Sequence, residues 1–272
     1  MKSRNTAALL VLSALFSLGS LGGALAAEGV TLKVIASAVP HAELLEFVKP
    51  KLAEKGVDLV ITVIDESSAS SRLYNEQTHN GEFDVNFAQH LPYLESVKAE
   101  QDYDLASAGG IHVEPIGFYS TKYKTKAEIP TGRKITVAVP NNATNEYRAF
   151  RVLEQNGFIK LKPDIQNFSA TKQDIADFGQ VEIVELDAGI IIRNTDQLDG
   201  YITNTNRILE AGIDPTTVLF REGKDSPYAN ILVTQTKRVN DPAIAALRDA
   251  LRTEDVRRFI EEKYKGAVVP AF

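Results

Sequence analysis

The chain has 272 residues, with 30 basic against 36 acidic side chains, a formal net charge of −6 and 44% hydrophobic residues. An acidic balance of this kind disfavours nucleic acid and anionic lipid as partners, because both would repel it. The complete lack of cysteine excludes disulfides and a thiol nucleophile, and with them a lipid carried on a cysteine side chain.

Residues 1–26 have the features of a cleaved secretory signal peptide. Lys2 and Arg4 give a basic start, an apolar run follows from Ala7 to Leu18, and Ala24-Leu25-Ala26 offers small residues at a cleavage site. The run is too short to span a bilayer, so a soluble periplasmic product is expected. Leu21-Gly22-Gly23-Ala24 resembles a lipidation box with alanine in the place of cysteine. Met1 is the sole methionine, so the processed chain would hold no sulfur. Such a composition suits a protein made when sulfur is scarce.

Beyond the leader, strand-like and helix-like segments alternate. A β-rich run at 32–37 precedes a helix at 41–55, with Leu44, Leu45, Val48 and Leu52 on one face and Pro50 expected to kink it or end it early. A strand at 59–64, a helix at 72–80 closed by Gly81 and a short strand at 84–88 follow, and Pro92 suits a helix start. The pattern restarts near residue 116, with strands at 135–139, 181–186, 198–202 and 229–233. Further helices fall at 145–156, 243–252 and 254–264. Alternation of this kind predicts an α/β fold in two lobes, built on mostly parallel sheets flanked by helices.

Three polar clusters follow strands, where open α/β sheets place their ligands. In the first, His90 and Tyr93 lie three residues apart at a helix start, a spacing that suits one wall of a cleft and equally a capping turn. In the second, Asn141, Asn142, Thr144 and Asn145 precede Arg148, which falls in the first turn of a helix. The helix dipole disfavours a cation there, so an anion at the same helix end would account for it. A guanidinium fork and free amides suit a carboxylate, although an arginine paired with Glu146 or a distant acid is the commoner arrangement. The third cluster joins 203–206 to 226–230, where Asn204 and Asn230 can donate and accept. No nucleophile elbow, phosphate loop or histidine spacing for a metal occurs, so an enzyme is not expected, nor a cofactor.

In this order the clusters resemble the MetQ/NlpA family of methionine-binding proteins. The landmarks are Pro40-His41-Ala42-Glu43, Gln89-His90 with Pro92-Tyr93-Leu94, and His112-Val113-Glu114-Pro115. Val139-Pro140-Asn141 with Asn145 and Arg148, Ile183-Val184-Glu185-Leu186, Ser226-Pro227-Tyr228-Ala229-Asn230 and the closing Glu261-Glu262-Lys263-Tyr264-Lys265-Gly266-Ala267 complete them. The resemblance implies a type II-like periplasmic binding fold, with one lobe from 27–115 and 227–272 and the other from 116–226. It implies a monomer that binds an α-amino acid, methionine first, and delivers it to the permease and ATPase of an ABC importer. It places the ligand's charged head on Arg148, Asn204 and Asn230, with His90 and Tyr93 in the pocket. Two aromatic pocket positions of the family are Ser71 and Ala88 here, which implies a larger and more polar side-chain pocket. A different sulfur-containing ligand, or a binding or adhesion role without transport, therefore stays open.

Overall fold

The computed structural model describes residues 29–64, 68–166, 168–223 and 226–272. The expected signal peptide lies outside the described residues. Among them, no helix is long and apolar enough to cross a membrane.

The chain starts with β1 (Val30–Ser37), α1 (Glu43–Ala53), β2 (Val57–Ile64), α2 (Ser68–Asn80), β3 (Val85–His90), α3 (Leu91–Gln101) and β4 (Leu105–Val113). A second series follows: β5 (Ile116–Tyr119), β6 (Ile135–Pro140), α4 (Ala143–Gln155), the short β7 (Lys160–Leu161) and β8 (Ile175–Asp177), β9 (Val181–Leu186), β10 (Gly200–Asn204), α5 (Thr205–Glu210) and β11 (Phe220–Arg221). The chain closes with β12 (Ala229–Gln235), α6 (Pro242–Leu251), α7 (Glu254–Tyr264) and β13 (Val269–Pro270).

Two large sheets result, ordered β13-β4-β12-β3-β1-β2 and β11-β5-β10-β6-β9, and β7 pairs with β8 in a small third one. Strands from both ends of the chain share the first, and β5, β6, β9, β10 and β11, all between residues 116 and 221, make the second. The expected parallel pairing holds for β2-β1-β3 and for β9-β6-β10. The other strands pair antiparallel. The reason lies in the chain path: β4 leads toward the second sheet and β12 leads back, so neighbouring exit and return strands must run in opposite directions.

Each sheet has its own apolar core. Leu32, Val34, Leu44, Leu45, Val48, Leu52, Leu232, Ile244, Leu247 and Ile260 are buried in one. Ile116, Phe118, Ile135, Val137, Val139, Phe150, Leu153, Ile183 and Ile202 are buried in the other. Burial of this size is the main favourable term in folding. Pro50 does not end α1, which runs through it to Ala53. It sits in the last turn, where a missing N–H costs a single ladder bond. Gly81 closes α2 at φ 80°, donating its N–H to the Thr78 carbonyl at 3.1 Å.

Candidate functional site

β3 runs on to His90, two residues past the expected end, and α3 begins at Leu91. His90 is therefore the N-cap of α3, and its Nδ1 accepts the Tyr93 N–H at 3.1 Å. With Nδ1 accepting, the ring proton lies on Nε2 and is donated to Asn145 Oδ1 at 3.0 Å. Burial first, and the nearby Arg148 charge second, hold the His90 pKa down at about 3, so the imidazole is neutral. This bond joins an element of the first sheet's lobe to α4 of the second.

Beneath His90 lies a closed set of amides. Gln89 Nε2 donates to Asn75 Oδ1 at 2.7 Å and to Asn86 Oδ1 at 2.6 Å, and Asn86 Nδ2 donates to Thr78 Oγ1 at 3.0 Å. Asn75, Thr78 and Asn86 are fully buried and Gln89 nearly so. Mutual satisfaction is what permits four uncharged polar groups under the cavity floor.

Across from them, Asn142 caps α4 by accepting the Asn145 N–H at 3.1 Å. One turn on, Arg148 is 1% exposed. Its Nη1 donates to Asn145 Oδ1 at 3.1 Å and its Nη2 to the Glu114 carbonyl at 3.0 Å. Nε and Nη2 both donate to the Glu222 carboxylate, and the guanidinium lies 4.1 Å over the Tyr228 ring. Glu146 is not the partner. It is buried against Glu185, and burial, then that second carboxyl, push its pKa up to about 9.

The elements of both lobes enclose a cavity of about 590 Å³. His90, Tyr93, Ser71, Ala88 and Asn230 line it from one side and Asn204 from the other. Arg148 is the expected site residue that does not line it. It borders a smaller cavity of about 270 Å³ with Arg151, Tyr147 and Tyr228. The sequence expectation had its fork facing the cleft, and the fork faces Glu222 instead. A buried guanidinium needs a fixed carboxylate, and this chain supplies its own.

Among the other lining residues, Glu114, Gln89, Asn142 and Asn145 were quoted from the sequence without a binding role of their own, and Arg207 was not singled out. Glu114 directly follows the segment 105–113, whose Gly109-Gly110 pair hides a strand. β4 bulges there against β12, with Gly109 at φ 142°, a conformation open to glycine.

His41, His112 and Glu114 are the group among the described residues whose donor atoms could hold a metal ion. Nε2 of His112 lies 2.7 Å and Nε2 of His41 lies 3.4 Å from Glu114 Oε1. Ligands at about 2.0–2.1 Å around a tetrahedral ion would stand roughly 3.3 Å apart. The shorter contact is a hydrogen bond, so the group fits a shared proton better than a metal.

A family model described as NlpA lipoprotein matches residues 32–272. The chain belongs to the NlpA lipoprotein family. The methionine-binding lipoprotein MetQ of Bacillus subtilis is 32% identical over 243 residues, 87% of this chain and 86% of that protein. The solved nutrient-binding protein of Burkholderia cenocepacia bound to methionine matches with a TM-score of 0.82 and 33% identity, over 89% of this chain and all of that one. An ABC transporter periplasmic substrate-binding protein of Coxiella burnetii matches with a TM-score of 0.80 and 32% identity, over 88% and 100%.

Against the NlpA resemblance, the two altered positions are filled in a specific way. The Tyr93 hydroxyl hydrogen-bonds the Ser71 side chain, and burial raises its pKa. Tyr74, 2% exposed, reaches the cavity and donates its hydroxyl to the Ala88 carbonyl at 3.4 Å. Phe87 faces away, as strand alternation requires. It is fully buried with its ring edge-on to His41, centroids 4.6 Å apart.

Proposed function

We propose that this NlpA-family chain is the solute-binding protein of an ABC importer, and that it binds an α-amino acid, methionine first, between its lobes. The lobes are residues 29–115 with 227–272, and residues 116–226. The observation that carries this reading is the cavity of about 590 Å³, lined by polar groups from both lobes. Its size lies in the range of sites that enclose small organic ligands. The Burkholderia relative was solved with methionine, and the Coxiella one is described as a transporter component.

In this reading Asn204 and Asn230 bind the charged head of the ligand from opposite walls, together with the first-turn amides of α4. Arg148 supports the carboxylate from behind, through the Asn145 side chain that it holds. His90 is neutral and keeps Asn145 oriented, while Tyr93, Ser71 and Ala88 line the side-chain end. The role is binding, without a reaction. Several relatives are named lipoproteins, whereas this sequence has no cysteine, and we place the mature protein free in the periplasm.

A second reading has its own support. Ser71 and Ala88 are small, and the cavity continues past them to Arg72, Glu76 and Glu100, so a ligand longer or more polar than methionine would also fit. One experiment tests both. Protein recovered from the soluble periplasmic fraction is melted with L-methionine, its sulfoxide, cystine and sulfur-free amino acids. A true ligand at a hundredfold excess over its Kd adds about 2.7 kcal/mol of stability. L-methionine is expected to raise the Tm. A larger response to the sulfoxide or cystine selects the second reading, and no response to any amino acid refutes both. Recovery only as a lipidated membrane form overturns the location.

A further inference from the structure

The cavity extends beyond the groups that the reading above assigns to the ligand's charged head, into the space between α2 and α3. Arg72 and Glu76 line it from α2, and Tyr93, Ser96 and Glu100 line it from α3. Tyr93, Ser96 and Glu100 stand at i, i+3 and i+7, so they share one face of α3. They carry the wall roughly 10 Å along that helix. His90, which makes the bond to α4, precedes the first residue of α3, so this stretch leads away from that contact.

The chemistry of the stretch does not suit a terminal thioether methyl, which favours an apolar wall. Of the residues that α2 and α3 contribute to the lining, Val97 alone is aliphatic. Both signs of charge are present instead. Arg72 and Glu76 lie one helical turn apart, a spacing that commonly gives an ion pair. Among the described residues no ion pair joins them. The Tyr93 hydroxyl, bonded to Ser71, lies in the field of both Arg72 and Glu100, and Tyr103 lies in that of Glu76. The charges of the two helices therefore border the same space.

A ligand group with a single charge would be attracted by one of these side chains and repelled by another. An α-amino-acid group carries a carboxylate and an ammonium on one carbon, and can offer each to its opposite. Arg72, Glu76 and Glu100 are exposed, so a charged group arriving there keeps part of its hydration. The desolvation cost is then smaller than in the depth of the cavity.

We propose that the space between α2 and α3 is a second head site. The ligand class that fits is an amino acid whose side chain ends in another amino-acid group, its carboxylate on Arg72 and its ammonium on Glu76. This rests on the amino-acid reading of the cavity, in its longer-ligand form.

The test is calorimetric titration of the intact protein with three probes. L-Cystathionine is methionine with an amino-acid group added to its methyl carbon. S-Propyl-L-homocysteine has the same carbon skeleton without the added charges, and L-methionine is the short reference. Cystathionine should bind at least about tenfold more tightly than either of the others, the gain of one charge-assisted hydrogen bond. Arg72→Gln should reduce that advantage to about threefold or less. Arg72 is exposed on α2 and glutamine is a good helix former, so the variant is expected to fold. Glu76→Gln is the second variant and should lower the advantage in the same direction. Cystathionine that binds wild type no better than methionine overturns the second head site and leaves the methionine reading standing. Equal binding of cystathionine and the propyl compound also overturns it, since length alone would then decide. So does an advantage that is unchanged in both variants, or a loss that is the same for all three probes. Wild type that binds none of them refutes the amino-acid reading itself, and the second site with it.

Discussion

The two walls of the cavity solve the same problem with different chemistry. On the first, Asn75, Thr78, Asn86 and Gln89 pair neutral donors with neutral acceptors, and no charge is involved. On the second, around α4, the groups are ionisable: buried Arg148 with partly buried Glu222, and buried Glu146 with exposed Glu185. A neutral set is held by the geometry of its hydrogen bonds alone. A charged set is held by compensation, so removing one member leaves the other at a large desolvation cost. Of these two sets, the charged one is therefore the one that is sensitive to mutation and to pH.

The largest effect should come from breaking the ion pair. Arg148→Ala leaves Glu222 without its cation and is expected to destabilise the fold by about 3–5 kcal/mol, as measured by urea denaturation. Ligand affinity should fall at least about tenfold in the same variant, since Asn145 loses a donor that holds it. A stability loss under about 1 kcal/mol would mean that the pair behaves like an exposed one, and the contrast between the walls would fail.

A smaller loss is expected on the neutral wall. Asn86→Ala removes the donor to Thr78 and Asn75 and the acceptor for Gln89. With no charge uncovered, the cost should be about 1–3 kcal/mol in the same denaturation measurement. A loss equal to that of Arg148→Ala would erase the distinction.

The smallest change has the most telling sign. The folded protein keeps Glu146 protonated up to about pH 9, against an ordinary value of 4.5, because burial and the facing Glu185 both oppose its charge. Asp174 adds to that opposition, and a backbone hydrogen bond at Lys172 works against it. Between those two pH values the unfolded chain gives up a proton that the folded one retains. This contribution to stability is therefore full below pH 4.5 and is lost as pH rises toward 9. Glu146→Gln cannot titrate. It should melt close to wild type at acid pH and about 2 °C or more above it in mildly alkaline buffer, the shift expected from roughly 1 kcal/mol in a protein of this size. Melting curves that stay parallel across pH would show that the two carboxyls do not share a proton.

The sequence exposed some of this and hid the rest for identifiable reasons. Regular apolar spacing made α1, α4, α6 and α7 readable, and Val- and Ile-rich runs made β1, β2, β6 and β9 readable. β4 was not readable, because Gly109-Gly110 and two bulges break its alternation. The start of α4 was legible in kind: an arginine close to it implied an anion, although the helix begins two residues earlier than expected and puts Arg148 in its second turn. That the anion is Glu222, 74 residues further along, depends on where the chain returns, which spacing cannot supply. Glu114 was quoted only as a landmark for the same reason, since its burial beside His41 and His112 depends on where those segments meet. His90 was anticipated in the cavity wall, but its neutral state follows from burial and from Arg148.

The arrangement of the first sheet also has a consequence for how the molecule assembles as it is made. Its strands β12 and β13 come from the last 44 residues, and β12 lies between β3 and β4. A chain appearing from its N-terminus cannot join β3 to β4 until β12 arrives, whereas the strands of the second sheet are all present by residue 221. The middle of the chain can thus reach its native state while the beginning is still waiting for the end, with the edges of β3 and β4 unpaired in the interval.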